Sequence, residues 1–185
     1  MYPGTMRLFV PPAVLLATLL PSPLRTQDVP DSAMRARVEW FIHDAPSHWF
    51  GSTRSDIVAR IGQPRRVSAS PNEHPNPYDT LTTDTLVTLQ YDSASFAYYV
   101  VPNIHAEYLV EVMVSTSRYV KQSPIPIGAT VAHVRDYFGD SAIGPTPSAT
   151  YSCYWCESLS AQSTVTFWFD DHGRVRGIKW QWQVD

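Results

Sequence analysis

A short pattern occurs twice in this chain, 77 residues apart, beginning at Gly51 and at Gly128. Both copies end in a glycine eleven positions later and carry a threonine, Thr53 or Thr130, two positions after the first glycine. A threonine there can accept hydrogen bonds from the free N–H groups of a helix N-terminus, and the final glycine can adopt the positive φ that ends a helix. Apolar residues recur four apart in each copy, as Ile57/Ile61 and Val134/Phe138. Each copy is therefore predicted to be a short amphipathic helix that covers an apolar surface.

Both predicted helices are followed by segments rich in β-branched and aromatic residues, many with apolar and polar residues in alternation. This composition favours antiparallel strands. The strand segments are 85–91, 95–101, 107–114, 150–155, 163–169 and 174–182. The sequence thus predicts an α+β fold of two tandem repeats, 48–123 and 124–185, each a helix plus an antiparallel sheet with the helices on one face. The stretches 68–83 and 140–148 are predicted loops.

The register of the last hairpin follows from its turn, because Asp171-His172-Gly173 suits a three-residue loop with Gly173 in the left-handed region. A bulge at Gly177 is then needed to keep the apolar residues of the last strand on one face. The predicted cross-strand pairs are Phe169–Val175, Trp168–Arg176, Phe167–Ile178 and Val165–Trp180.

Residues 1–27 have the composition of a secretory signal peptide, with an early Arg7, a short apolar run and a polar exit. Their removal leaves 12 basic and 17 acidic side chains, since Arg7 and Arg25 are lost and no acid is. An acidic chain without a long Lys/Arg run is not expected to bind nucleic acid. No cysteine lies near the end of the apolar run, so no lipid anchor is predicted. The expected location is secreted, periplasmic or in the cell envelope.

The segment 28–47 is predicted to be an N-terminal helix and linker that precede the repeats. Its helix should span residues 31–42, with Met34, Val38 and Phe41 on one side.

Two motifs stand out when the first helix and the last hairpin are read together. They are Gly51-x-Thr53-x-x-x-Ile57-x-x-x-Ile61-Gly62-x-Pro64 and Val165-x-Phe167-x-Phe169-Asp170-x-x-Gly173-x-Val175-x-x-Ile178. The chain in this respect resembles the BamE/SmpA outer-membrane assembly proteins and the β-lactamase-inhibitor-protein-like fold, over about residues 48–185. The tandem arrangement is closer to the inhibitor-like proteins. The resemblance implies a protein-binding role without catalysis, although the lipid-accepting cysteine of BamE is missing here.

The two cysteines, Cys153 and Cys156, are spaced as C-x-x-C, and in an exported protein a local disulfide is the expected state. A thioredoxin-like redox role needs this motif at a helix N-terminus after a strand, a context that is absent here. Structural zinc would require two further ligands, for which His133 and His172 are conceivable but distant. No cofactor and no metal are predicted.

The face of the sheet that turns away from the predicted helices is unusually rich in aromatic and apolar residues. Its predicted members are Tyr99, Val101, Leu109, Met113, Trp168, Arg176, Lys179 and Gln181. Tyr, Trp, Met and Arg are enriched at protein interfaces, so this face is predicted to bind another protein. Two alternatives are that a loop or the N-terminal helix covers the face, or that Trp168 only stacks on Arg176.

The sequence therefore predicts an exported, non-catalytic protein-binding module. One alternative is an envelope assembly factor that works through its N-terminal helix and loops. Another is a small secreted hydrolase or thiol redox protein. The identity of the partner and the oligomeric state do not follow from the sequence.

Overall fold

The computed structural model describes residues 32–71, 84–139, 143–146, 150–155 and 163–183. Its helical elements are α1 (Ser32–Glu39), a π-helical turn (Trp40–Asp44), α2 (Ala45–Phe50), α3 (Arg54–Ile61), a 3₁₀ turn (Pro102–Ile104) and α4 (Val131–Phe138). Its strands are β1 (Arg66–Pro71), β2 (Thr85–Gln90), β3 (Ala94–Val101), β4 (Ala106–Val114), β5 (Ile143–Thr146), β6 (Thr150–Trp155), β7 (Ser163–Phe169) and β8 (Val175–Trp182).

The strands form one antiparallel sheet in the order β1-β2-β3-β4-β8-β7-β6-β5. At its centre β4 pairs with β8, with Val112 opposite Trp180 and Val114 opposite Ile178. Buried side chains from all four α-helices join those of one sheet face in a single core. The α+β fold class and the position of the helices on one face are as predicted.

The caps of α3 and α4 explain why these two helices begin where the sequence predicts. Thr53 accepts a hydrogen bond from the Asp56 N–H at 3.1 Å, and the Asp56 carboxylate accepts one from the Thr53 N–H at 3.1 Å. Thr130 accepts from the His133 N–H at 3.2 Å. Gly62 (φ +101°) and Gly139 (φ +76°) end the helices with backbone angles that residues other than glycine rarely adopt.

The N-terminal helical run is part of the core. Val38 and Phe41, both on the side predicted to be apolar, are fully buried, and Met34 packs against the core. The ring of Phe41 contacts five others, namely Trp49, Tyr137, Phe138, Phe167 and Trp180. The described part of this segment, residues 32–47, therefore shares the core of the sheet.

Two tryptophans of β8 bind backbone carbonyl groups of the π-helical turn. Trp180 Nε1 donates to the Phe41 carbonyl oxygen at 3.0 Å, and Trp182 Nε1 donates to that of Ile42 at 3.1 Å. Pro46 has no N–H group, so it cannot be the helical donor to Ile42 in the α register or to Phe41 in the π register. The indoles thus supply donors that the helix itself lacks at this point.

The register of the last hairpin is confirmed at three of its four predicted pairs: Phe169–Val175, Phe167–Ile178 and Val165–Trp180. The bulge lies one residue earlier than predicted, because Trp168 is opposite Gly177 and Arg176 is the extra residue. Gly173 has φ +68° and closes the turn with a hydrogen bond from its N–H to the Asp170 carbonyl oxygen at 2.9 Å.

The outer strand β5 lies inside the predicted loop 140–148, and β1 begins at Arg66 and overlaps the first four residues of the predicted loop 68–83. Both contain proline next to small residues, as Ser70-Pro71 and Gly144-Pro145, a composition that is common in turns and is tolerated in strands mainly at sheet edges. The structure places β1 and β5 at the two edges of the sheet. Within the described ranges no helix has the length and apolar character needed to cross a bilayer. The predicted signal peptide, residues 1–27, lies outside those ranges.

Candidate binding surface on the open sheet face

The sheet face opposite the helices is called the open face here, and one row of side chains crosses three of its strands. Leu86 on β2 is opposite Tyr99 on β3, which is opposite Tyr108 on β4. Leu86 is 37% exposed and Tyr108 is 44% exposed, whereas Tyr99 between them is partly buried. Directly opposed aromatic and aliphatic residues support each other across antiparallel strands. The row therefore presents an ordered apolar strip to solvent.

Tyr99 is held in this row by its hydroxyl group. The hydroxyl donates a hydrogen bond to the Asp84 carboxylate, which is almost completely buried just before β2. A hydrogen bond to a charged acceptor is stronger than one between neutral groups, and it fixes the direction of the ring. Tyr99 lies where the sequence predicted, and so does Val101 at the end of the same strand, which is partly exposed.

Leu109 was predicted to lie on the open face, and the structure corrects this placement. An irregularity in the pairing of β3 with β4 sets Ala97 opposite Glu111 but Tyr98 opposite Leu109, so Val110 is an extra residue. The side-chain alternation of β4 is reversed there. Leu109 consequently packs against the core, and Tyr108, which is not among the predicted members of the open face, takes the open-face position.

The same irregularity leaves Tyr98 in the core, fully buried, beside Leu109. Loss of solvent around its hydroxyl, with added repulsion from Glu107 and Asp56, raises the pKa of Tyr98 above its ordinary value. Tyr98 therefore stays protonated and neutral under ordinary conditions.

Met113, Lys179 and Gln181 all lie on the open face as predicted. Met113 is 40% exposed and is opposite Lys179, while Glu111 is opposite Gln181. Lys179 Nζ lies 2.7 Å from Glu111 Oε2, and both side chains are about one-third exposed. An ion pair this exposed contributes at most about 1 kcal/mol to stability. The ion pair also changes the electrostatic character of the surface, because it neutralises two charges in the middle of the open face.

Trp168 packs on Gly177 rather than on Arg176. A Cβ added to Gly177 would lie 3.0 Å from Trp168 Cε3 and 3.5 Å from the Val114 carbonyl oxygen, so glycine lets the indole approach the β8 backbone. Arg176 is exposed at the bulge. The predicted alternative, Trp168 stacked on Arg176, is not among the cation–π contacts of the described residues.

The other predicted alternative was that a loop or the N-terminal helix covers the open face. Most residues of the predicted loops, 68–83 and 140–148, lie outside the described residues, so the structure tests only the helix. α1 and the π-helical turn instead pack on the opposite face, where Phe41 lies against Phe167 and Trp180. No helix in the described part of the chain covers the open face, since the buried residues of all four belong to the core on the other side.

The cysteine prediction remains a prediction. Cys153 lies on β6 opposite Val165, but Cys156 lies outside the described residues. Among the described residues there is no group of three or more His, Cys, Asp or Glu side chains placed to hold a metal ion.

Comparison with known proteins gives no family for this chain. No family model matches it, and no curated protein matches it. A solved structure of an extracellular protein containing an SCP domain, from Bacillus anthracis str. Ames, matches over 85% of this chain with 14% sequence identity and a TM-score of 0.41. The matched region is 48% of that chain, so this chain spans about half its length. These findings overturn the resemblance to the BamE/SmpA and β-lactamase-inhibitor-protein-like families.

Proposed function

We propose that this protein is an exported, non-catalytic module that binds an apolar strip of a partner protein on its open face. The observation that carries the proposal is the row Leu86–Tyr99–Tyr108, whose outer members are 37% and 44% exposed among the described residues, on a sheet whose described helices all lie on the other face. Met113, further along β4 on the same face, is also exposed. Exposed apolar patches rimmed by polar residues mark interaction sites.

The chemistry of the partner surface is inferred from the charges of the open face. Glu111 and Lys179 neutralise each other on this face, and its large exposed side chains, those of Leu86, Tyr108 and Met113, are apolar or aromatic. A charged partner surface would lose water there without gaining an opposite charge. The complementary surface of the partner is therefore apolar or aromatic. It also carries hydrogen-bonding groups opposite Gln181 and opposite the threonines of the open face.

The size of the face is adequate for such a contact. Eight strands about 4.8 Å apart and about 20 Å long span roughly 700 Å². A standard protein interface covers about 800 Å² on each partner.

Photo-crosslinking tests this proposal. A photoreactive residue at position 86 is expected to give a discrete adduct with one partner in extracts of the native host's cell envelope and culture medium. The Tyr108→Ser/Met113→Ser variant should lose that adduct. The matched control, Trp40→Ser/Val67→Ser, removes two apolar side chains that are 37% and 57% exposed elsewhere, and it should keep the adduct. Loss in both variants, retention in both, or no adduct at position 86 would contradict the proposed surface.

Export is part of the proposal and is supported by the composition of residues 1–27. Mass spectrometry of the protein from its native host should find a mature N-terminus near residue 27 in the envelope or medium. An intact N-terminus in the cytoplasm would contradict export. Thiol titration of that material should find no free thiol without reductant and two with it, if Cys153 and Cys156 are bonded.

We also propose that the two halves of the fold are copies of one unit. Each half has a threonine-capped helix followed by four strands, and the final strand of each, β4 or β8, pairs with the other at the centre of the sheet. In an experimental structure, segment 53–114 should superpose on segment 130–182 by a rotation about an axis between β4 and β8. Failure to superpose would contradict the duplication and leave the binding proposal intact.

A further inference from the structure

A second surface feature lies in the helical layer, away from the open face. It is an open cleft of about 230 Å³ between α2 and the segment that follows β4. Its lining consists of two cations, an imidazole, two aromatic rings and an amide: Arg118, Lys121, His48, Trp49, Tyr119 and Gln122.

The cleft concentrates positive charge in a chain whose formal net charge is −3. Among the described residues, no carboxylate lines it and neither Arg118 nor Lys121 forms an ion pair. A third guanidinium, that of Arg60, lies close by, because its Nη1 donates to the His48 carbonyl oxygen at 2.7 Å. Unpaired cations converging on one concavity attract an anion and disfavour a cationic ligand.

The aromatic rings of the cleft are fixed in position. Trp49 packs edge-to-face with Phe41 and Trp180 at centroid distances of 5.8 and 5.9 Å. The guanidinium carbon of Arg118 lies 5.5 Å from the centroid of the Tyr119 ring, within the range of a cation–π contact. The cleft therefore offers apolar ring surface next to its charges.

The segment that carries the two cations is also anchored. Val120, between Tyr119 and Lys121, is fully buried, and so is Ile125. The Ser115 N–H donates to the Ser93 carbonyl oxygen at 2.9 Å, and Ser123 Oγ donates to that of Ile125 at 2.8 Å. Because the backbone is held at these points, a ligand need not order the loop before it binds.

We infer that this cleft binds an oxyanion, a carboxylate, sulfate or phosphate group, that is carried on a small ring-bearing molecule. Arg118 and Lys121 supply charge-assisted hydrogen bonds to the oxyanion. The ring of the ligand packs against Trp49 or Tyr119, where stacked aromatic contacts add to affinity. A ring without charge would leave the cations unused, and a free inorganic anion would leave the ring surface unused.

The test uses the full exported chain and four kinds of probe: phenyl sulfate, phenyl phosphate and benzoate as ring-bearing anions, phenol as the uncharged ring, inorganic sulfate and phosphate as free anions, and phenyltrimethylammonium as the cation. Binding is measured by calorimetry and by the indole ¹H–¹⁵N NMR signal of Trp49, assigned with Trp49→Phe. At least one ring-bearing anion should shift that signal to saturation. Phenol, the free anions and phenyltrimethylammonium should bind at least about tenfold more weakly, a factor that corresponds to about 1.4 kcal/mol. The ranking among the three anions identifies the oxyanion.

Two variants with the same change in net charge complete the experiment. Arg118→Gln/Lys121→Gln should weaken binding of the preferred anion at least about tenfold, as expected for two lost charge-assisted hydrogen bonds. Arg37→Gln/Arg66→Gln removes two exposed cations elsewhere and should bind as the wild type does. If thermal unfolding shows that Arg118→Gln/Lys121→Gln does not fold, the single variants Arg118→Gln and Lys121→Gln are used in its place. Saturable binding by none of the anions, equal binding of phenol, or an equal loss in both paired variants would overturn the inference. These residues lie outside the open face, so the result is independent of the partner-binding experiment.

Discussion

The indole N–H of Trp180, at the centre of the sheet, donates to the carbonyl oxygen of Phe41 in the N-terminal helical run, across 139 positions of sequence. Both residues are fully buried. The carbonyl is available because Ala45 N–H bonds to Trp40 in the π register and Pro46, the next residue, has no N–H. The contact therefore links a local defect in the helix to a side chain of the last strand, and it explains why the helix is fixed over the middle of the sheet.

Replacing Trp180 with phenylalanine should destabilise the fold more than the same change at Trp182. Trp180→Phe leaves the buried Phe41 carbonyl group without its donor and also removes ring volume, for a loss of about 2–4 kcal/mol in the free energy of unfolding. Trp182 is itself partly exposed, so its replacement disturbs less buried ring surface and a less buried hydrogen bond, and the loss should be about 1 kcal/mol. Urea unfolding measures both. Equal losses would contradict a structural role for the buried hydrogen bond.

Phe41→Ala should cost about 3–5 kcal/mol of unfolding free energy, the range for a buried aromatic residue replaced by alanine. The neighbouring Trp40→Ala, at a position 37% exposed, is the control and should cost much less. The comparison tests whether the N-terminal helical run belongs to the same cooperative unit as the sheet. If Phe41→Ala changed only a separate unfolding transition that precedes unfolding of the sheet, the N-terminal helical run would be an independent element.

The two threonine caps should contribute similarly to stability. Thr53→Ala and Thr130→Ala each remove the side-chain acceptor for one N–H group at the start of α3 or α4, which typically costs about 1 kcal/mol. Thr→Ser at the same positions keeps the acceptor and should restore most of the loss. Thermal unfolding of the four variants measures this. A serine variant as unstable as its alanine counterpart would show that the methyl group, and not the hydroxyl, matters.

Asp56 makes part of this stability depend on pH. Hydrogen bonds from Thr53 and Ser52 hold the pKa of Asp56 below its ordinary value of 3.8. A carboxylate with a lowered pKa stabilises the folded state above the ordinary value, and this contribution disappears as pH falls through the folded-state pKa. Asp56→Asn should therefore be less stable than the wild type at pH 7, and the difference should shrink below pH 3.8. A difference that stays constant down to pH 2 would contradict the role of the charge.

The reversed alternation in β4 predicts opposite responses at adjacent residues. Leu109→Asp places a charge against the core and should lower the unfolding free energy by several kcal/mol. Tyr108→Asp places it in a largely exposed position and should cost about 1 kcal/mol or less. Chemical denaturation distinguishes the two. Equal losses, or a larger loss at 108, would mean that Val110 is not the extra residue.

Local chemistry in the sequence is sufficient for some parts of this fold. Thr53, Thr130 and the glycines that end their helices act within one or two turns of backbone, so the bounds of α3 and α4 follow from them. The last hairpin has a three-residue turn, and its register follows from that turn and from the need to keep Phe167 and Ile178 on one face. Much of the open face, including Tyr99, Met113 and Lys179, follows from strand alternation.

Other parts depend on contacts between segments far apart in the chain. Leu109 and Tyr108 exchange faces because β3 imposes a bulge on β4, and nothing within β4 marks Val110 as the extra residue. β1 and β5 are strands because the edges of a large sheet offer them hydrogen-bond partners, although their own residues favour loops. The cleft around Arg118 and Trp49 joins residues that the sequence separates by more than sixty positions. Strand alternation and helix capping depend on residues that are close in the chain, so the sequence alone predicts them. Bulges, edge pairing and the convergence of charges on the cleft arise only when distant segments pack together.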